Sequence, residues 1–141
     1  MVNYAWYDTA QLLKIEKAKK ESDWFTAIVL SAVQLERHGC LEIKEYLENL
    51  NVKSELIDRI LKRKYLYEIA EYLMVIGKID SEECKTIKTV NEERNNFIHR
   101  RGEERFKRGL EAKDKYAPLI DDAIRILKEK LNVLRIFIGK S

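Results

Sequence analysis

One proline and five glycines are spread over 141 residues. A sandwich or barrel of short strands needs turn signals roughly every 8–12 residues, and these two residue types supply too few. The two cysteines, Cys40 and Cys84, lie far apart and form no C-x-x-C pair. A zinc site would have to rest on scattered ligands, so the thiols read as reduced, partly buried groups of a cytoplasmic protein. Asn3, Asp8 and Gln11 interrupt any apolar run at the start, which argues against a secretion signal. No stretch reaches the roughly 18 apolar residues of a membrane span. No Gly-rich phosphate loop, G-x-S-x-G elbow or H-E-x-x-H pair occurs, and nothing asks for a metal or cofactor.

What is abundant is charge and helical periodicity. Charged residues make up 36%, above the usual quarter, yet the net charge is only +3 and 45% of residues are hydrophobic. That combination predicts one folded domain rather than a disordered chain. Apolar spacing predicts a first helix over 4–20, with Ala5, Thr9, Leu12, Leu13 and Glu16 on one stripe and lysines at its C-terminal end. Ser22 or Asp23 then suits an N-cap.

A second helix is predicted from Trp24 to Leu50. Its face runs Trp24, Ile28, Ala32, Leu35, Gly39, Ile43, Tyr46, Leu47 and Leu50. The period survives Gly39, which predicts a single helix with a close neighbour there; a break at His38-Gly39 is the alternative. A third helix is expected from Ser54 to about Ile76, with Leu56, Ile60, Tyr67, Ala70, Leu73 and Met74 inward and Gly77 after its end. Asp80-Ser81-Glu82-Glu83 is a capping-box variant that opens a fourth helix reaching about Arg101. Residues 102–115 read as a polar loop. A last helix is expected from near Pro118, which suits a first turn, to near Ile138. The expected fold is all-α: an antiparallel bundle of four to five helices, with its core over about 22–138.

The chemistry concentrates in Glu92-Glu93-Arg94-Asn95-Asn96-Phe97-Ile98-His99-Arg100-Arg101. On a helix, Arg94 falls inside the apolar stripe of Ile87, Val90, Phe97 and Ile98. Asn95 and His99 sit together on the stripe's flank, four residues apart. Arg94 and His99 differ by about 140° around the helix and about 7.5 Å along it. An arginine in an apolar stripe is costly unless paired. It reads either as a structural ion pair to a Glu on a neighbouring helix or as an anion site at a cleft or subunit seam, with Glu36 and Glu93 as candidate carboxylates to orient it. In the second case His99 can move protons near neutral pH.

Arg94-Asn95-x-x-x-His99 resembles the RNxxxH form of the Arg-x4–6-His motif of HEPN domains. The long helix carrying Ser31-Ala32-Val33-Gln34-Leu35-Glu36, the hairpin Leu73 to Asp80 before the motif helix, and the final amphipathic helix resemble that family's layout over about 22–138. The resemblance implies a small helical bundle that forms a homodimer, its two motifs facing one cleft, and in many members a metal-independent endoribonuclease of toxin or defence type. It implies that His99 serves as general acid or base, that Arg94 holds the scissile phosphate, and that Asn95 positions the site. RNA or a nucleotide would be the ligand, and an antitoxin a protein partner. A non-catalytic module that binds RNA, nucleotide or protein is the alternative it implies. Arg101 stands where the subgroup paired with nucleotidyltransferase antitoxins carries Tyr, a departure from that subgroup's pattern.

Residues 100–115 hold seven basic and four acidic residues, a surplus equal to that of the whole chain. Arg100, Arg101 and Arg105 are therefore expected to face an RNA backbone. Arg59, Lys62, Arg63 and Lys64 form a second basic group. His38 reads as a surface or helix-end residue. Trp6, Tyr7, Trp24, Phe25, Tyr65, Tyr67 and Tyr72 read as packing or dimer contacts rather than base-stacking platforms.

Overall fold

The computed structural model describes residues 4–99 and 110–131, and among these every regular element is a helix. In chain order they are α1 (Tyr4–Lys20), α2 (Trp24–Asn49), α3 (Ser54–Leu61), α4 (Leu66–Val75), α5 (Ser81–His99) and α6 (Leu110–Glu129). The expected all-α class holds. α2 is the central element and packs against all five others. The short joins 21–23 and 76–80, with Asp8 meeting His38 and Glu71 meeting Lys88 farther along, make α1–α2 and α4–α5 antiparallel, and the pairs Glu83–Arg125 and Glu93–Lys115 make α5–α6 antiparallel.

α2 runs unbroken through Gly39. A Cβ there would lie 2.6 Å from Ile69 Cγ2 and 3.2 Å from Leu73 Cδ1. The missing side chain therefore lets α4 approach α2 closely, and the packing of α2 against its neighbours offsets glycine's backbone freedom. Three helices end in Schellman turns. Asp23 N–H donates to Ala18 O, Val52 N–H to Leu47 O, and Lys78 N–H to Leu73 O, with Ser22, Asn51 and Gly77 at positive φ. Asp23 caps α2 by accepting from Thr26 N–H. The Asp80 box closes both ways: its carboxylate accepts from Glu83 N–H at 2.8 Å, and Glu83 Oε1 accepts from Asp80 N–H at 2.9 Å.

Four expectations need correction. The helix predicted over 54–76 is two helices, broken at Lys62–Tyr65, where Arg63 takes φ 57. No glycine or proline marks the break, and the apolar period continues across it. The inward residues are Ile57, Leu66, Ile69, Ala70 and Leu73, while Leu56, Tyr67 and Met74 are exposed. The last helix starts at Leu110, with Pro118 inside it on the exposed side. Ala112, Tyr116 and Ile120 are all buried at helical spacing, so packing carries the helix through a residue that forfeits one backbone bond. In α1 the buried face is Asp8, Gln11, Leu12, Ile15 and Ala18, and Leu13 and Glu16 point outward. Asp8 of that face meets Arg37 and His38 of α2, a contact that hydrophobic spacing does not reveal. At the far end of α2, Tyr46 and Leu50 are exposed and Leu47 is half-buried, because the stripe outruns its neighbours there.

Candidate functional site

α5 carries the residues singled out by the motif. Its N-terminal half is covered over a broad arc centred on Ile87, from Val90 and Glu83 to Asn91 and Cys84, and its C-terminal half on the side of Glu93 and Phe97. The covered arc thus shifts around the helix as α5 crosses the bundle. Phe97 is the anchor of the C-terminal half. Its ring lies 5.3 Å from Tyr116 of α6 and 5.8 Å from Phe25 of α2, and Tyr116 in turn lies 6.1 Å from Trp24. This aromatic cluster, worth about 0.5–1.5 kcal/mol per pair beyond area burial, holds the end of α5 in place. Trp24 and Phe25 are packing residues, as expected.

Because the covered arc has moved, Ile98 emerges from the stripe into solvent and Arg94 lies half-buried at its edge. Ile98 is 45% exposed, contrary to the expectation that it is buried. Arg94 is held at two points. One terminal nitrogen donates to Asn91 Oδ1 at 2.7 Å, and the other lies 3.5 Å from Glu36 Oε2 across the α2–α5 contact. Of the two candidate carboxylates, Glu36 is the partner. Glu93 pairs instead with Lys115 of α6 at 3.1 Å. The ion pair remains half open, with the Arg94 side chain 18% and the Glu36 side chain 40% exposed. Such a pair contributes little to stability, roughly 0–1 kcal/mol.

Asn95 and His99 are exposed on the same side of α5 as Ile98. Arg94, Ile98, Asn95 and His99 therefore share one solvent-facing arc of about 140°. The arrangement offers a fixed guanidinium, an amide and an imidazole within one helix end, with three of the guanidinium's five N–H groups outside its two contacts. Arg100, Arg101 and Arg105 lie outside the described residues.

Other residues sort differently from their expectation. His38 is buried, not at the surface, with its Nε2 3.2 Å from Asp8 Oδ1. Burial holds its pKa below the ordinary histidine value, against the pull of the Asp8 carboxylate. Arg37 reaches the same Asp8 oxygen at 3.4 Å, and Lys78 lies 3.3 Å from Glu42 nearby. His38 lies between Leu35 and Glu42 on the inner side of α2, a position the stripe could have flagged. Burial raises the pKa of both thiols, Cys40 and Cys84, which leaves them poor nucleophiles. No group of three or more His, Cys, Asp or Glu side chains suited to a metal ion occurs among the described residues. Among the described residues, no helix is long and apolar enough to cross a membrane. A surface cavity of about 500 Å³ between α1 and α6 is lined by Leu13, Lys17, Lys20, Asp121 and Ile124 among others, and by nothing from α5.

The chain matches no protein-family model, none of the curated proteins and no solved structure.

Proposed function

We propose that this is a HEPN-type domain that cleaves single-stranded RNA without a metal ion, using Arg94, Asn95 and His99 at the seam of a homodimer. The observation that carries the reading is the arc at the end of α5. It presents a guanidinium already fixed by Asn91 and Glu36, an exposed imidazole, and an amide between them. A fixed cation beside a proton-transfer group is what transesterification of RNA requires.

The chemistry follows from the groups. The ribose 2′-oxygen loses its proton and attacks the adjacent phosphorus. The bond to the 5′-oxygen breaks, and that oxygen gains a proton. The products are a 2′,3′-cyclic phosphate and a 5′-hydroxyl. His99 serves as base or acid, Arg94 stabilises the charge growing on the phosphoryl oxygens, and Asn95 orients the chain by hydrogen bonding. A twofold seam brings a second copy of each group to the same phosphate, so one histidine can act as base and the other as acid. The exposed Ile98, and Val33 one turn from Glu36 on α2, give that seam apolar contacts. A toxin or defence role, with an antitoxin as protein partner, belongs to the same reading.

A second reading has its own support. Glu36 lies within ion-pair distance of Arg94 and offsets part of its charge. That favours a module that holds RNA or a nucleotide without cutting it. Incubation of labelled single-stranded RNA in EDTA separates the two. Cleavage that persists in EDTA and disappears in both His99→Ala and Arg94→Ala is expected. Salt-sensitive binding with no cleavage selects the second reading, and cleavage that needs a divalent metal or survives His99→Ala rules out the mechanism.

A further inference from the structure

The break between α3 and α4 places side chains where a continuous helix would not. Arg59, Lys62 and Arg63 are exposed and make no ion pair among the described residues. Arg63 holds φ 57, a conformation that non-glycine residues adopt rarely. Directly after it stand Tyr65, 71% exposed, and Tyr67, 45% exposed. The Tyr65 ring is left largely in water, and the Tyr67 ring keeps about half of its surface there.

On α3, Glu55 and Asp58 stand one turn before Arg59 and Lys62 and offset part of their charge, and the α4 carboxylates are occupied. Glu68 pairs with Lys64 at 3.6 Å, and Glu71 with Lys88 at 3.1 Å. Lys88 also lies over the Tyr67 ring, 4.1 Å from its centroid, which ties that ring to α5. On α5, Lys88, Glu92, Asn95 and His99 follow at i, i+4, i+7 and i+11, a single stripe about 16 Å long. All but half-buried Lys88 are exposed. The stripe leads from Tyr67 to the end of α5 that carries Arg94 and His99.

We propose that the α3–α4 junction and the adjoining face of α5 form a platform for single-stranded RNA: Tyr65 and Tyr67 stack bases, and Arg59, Lys62 and Arg63 hold phosphates. The proposal rests on the RNA reading above and gives that site a strand path. Cations interleaved with exposed aromatic rings suit a single strand, whose bases are free to stack, and do not suit a duplex, whose bases already are. Glu92 is the one carboxylate on the stripe and opposes the strand.

The test is fluorescence anisotropy with a labelled oligouridine longer than a site of about 4–16 nucleotides, with EDTA present. Wild type is compared with Tyr65→Ala, with the double variant Lys62→Gln/Arg63→Gln, and with Glu92→Gln, each checked for an unchanged melting temperature. Tyr65→Ala is expected to weaken binding roughly tenfold. The double variant is expected to flatten the slope of log affinity against log salt by about 1.4. Glu92→Gln is expected to tighten binding. Wild-type affinity in the tyrosine and double variants overturns the platform, as does equal competition by duplex RNA or polyglutamate. The two ideas fail separately. Platform-dependent binding without cleavage removes the nuclease and keeps the platform. His99-dependent cleavage with binding indifferent to Tyr65 does the reverse.

Discussion

Gly39→Ala sets two effects of known size against each other. Alanine in a helix interior is favoured over glycine by about 1 kcal/mol, so on an open helix the change stabilises. Here the added Cβ lies 2.6 Å from Ile69 Cγ2 and 3.2 Å from Leu73 Cδ1, and both side chains are fully buried. Ile69 is β-branched, with Cγ2 fixed directly on Cβ, so the methyl cannot swing away without moving α4. Overpacking of this kind costs about 1–3 kcal/mol. The net expectation is a loss of about 1 kcal/mol, or a fall in melting temperature of about 4 °C for a chain this size. Ile69→Ala alone is expected to cost about 2–5 kcal/mol through its cavity. Combined with Gly39→Ala the loss should be smaller than the sum by about 1 kcal/mol or more, because the new methyl occupies the space of the old one. Thermal and urea unfolding of the four proteins measures this. A Gly39→Ala variant more stable than wild type by the full propensity gain, with no coupling to Ile69, refutes close packing of α4 on α2.

Asp80→Ala removes the cap that accepts from Glu83 N–H and is expected to cost about 1 kcal/mol by urea unfolding, with Asp80→Asn restoring most of it. His38 has a folded-state pKa below its unfolded value, so the unfolded chain binds the extra proton first. Its contribution is therefore full above the unfolded pKa near 6.5 and is lost as pH falls below it, by at most about 1.4 kcal/mol per pH unit. Melting curves from pH 7.5 to 5 should show His38→Gln with a shallower decline than wild type; Asp8, Arg37 and Glu42, which face His38, are the same in both. Glu36→Gln removes the charge opposite Arg94 and is expected to tighten RNA binding several-fold while changing stability by less than about 1 kcal/mol, read by anisotropy and melting.

Much of the frame was legible because local rules and packing agreed. The Asp80–Glu83 box, Gly77 after α4 and the small residue at Gly39 each announce their role in the sequence. The errors lie where packing overrode local signals. Lys62-Arg63-Lys64 carries no breaker, yet the chain turns there through a strained arginine. Pro118 reads as a helix start, but Ala112 and Tyr116 upstream bury well enough to place it in the interior. The polar contact of Asp8 with His38 leaves no hydrophobic signature, so α1 showed the wrong face. At the site, the arginine's position on α5 was legible, and the choice of Glu36 over Glu93 was not. That choice depends on which neighbour, α2 or α6, lies on each side of the helix. The exposure of Ile98, Tyr65 and Tyr67 was equally hidden, since an apolar residue at helical spacing reads as core.

The most direct measurement is the identity of the RNA ends produced. Wild-type protein, incubated with a single-stranded oligonucleotide in EDTA and analysed by mass spectrometry, should yield 2′,3′-cyclic phosphate and 5′-hydroxyl ends, and His99→Ala should yield neither. Intact RNA with wild type, or fragments ending in 3′-hydroxyl and 5′-phosphate that appear only with a divalent metal, contradicts a nuclease site built on Arg94 and His99.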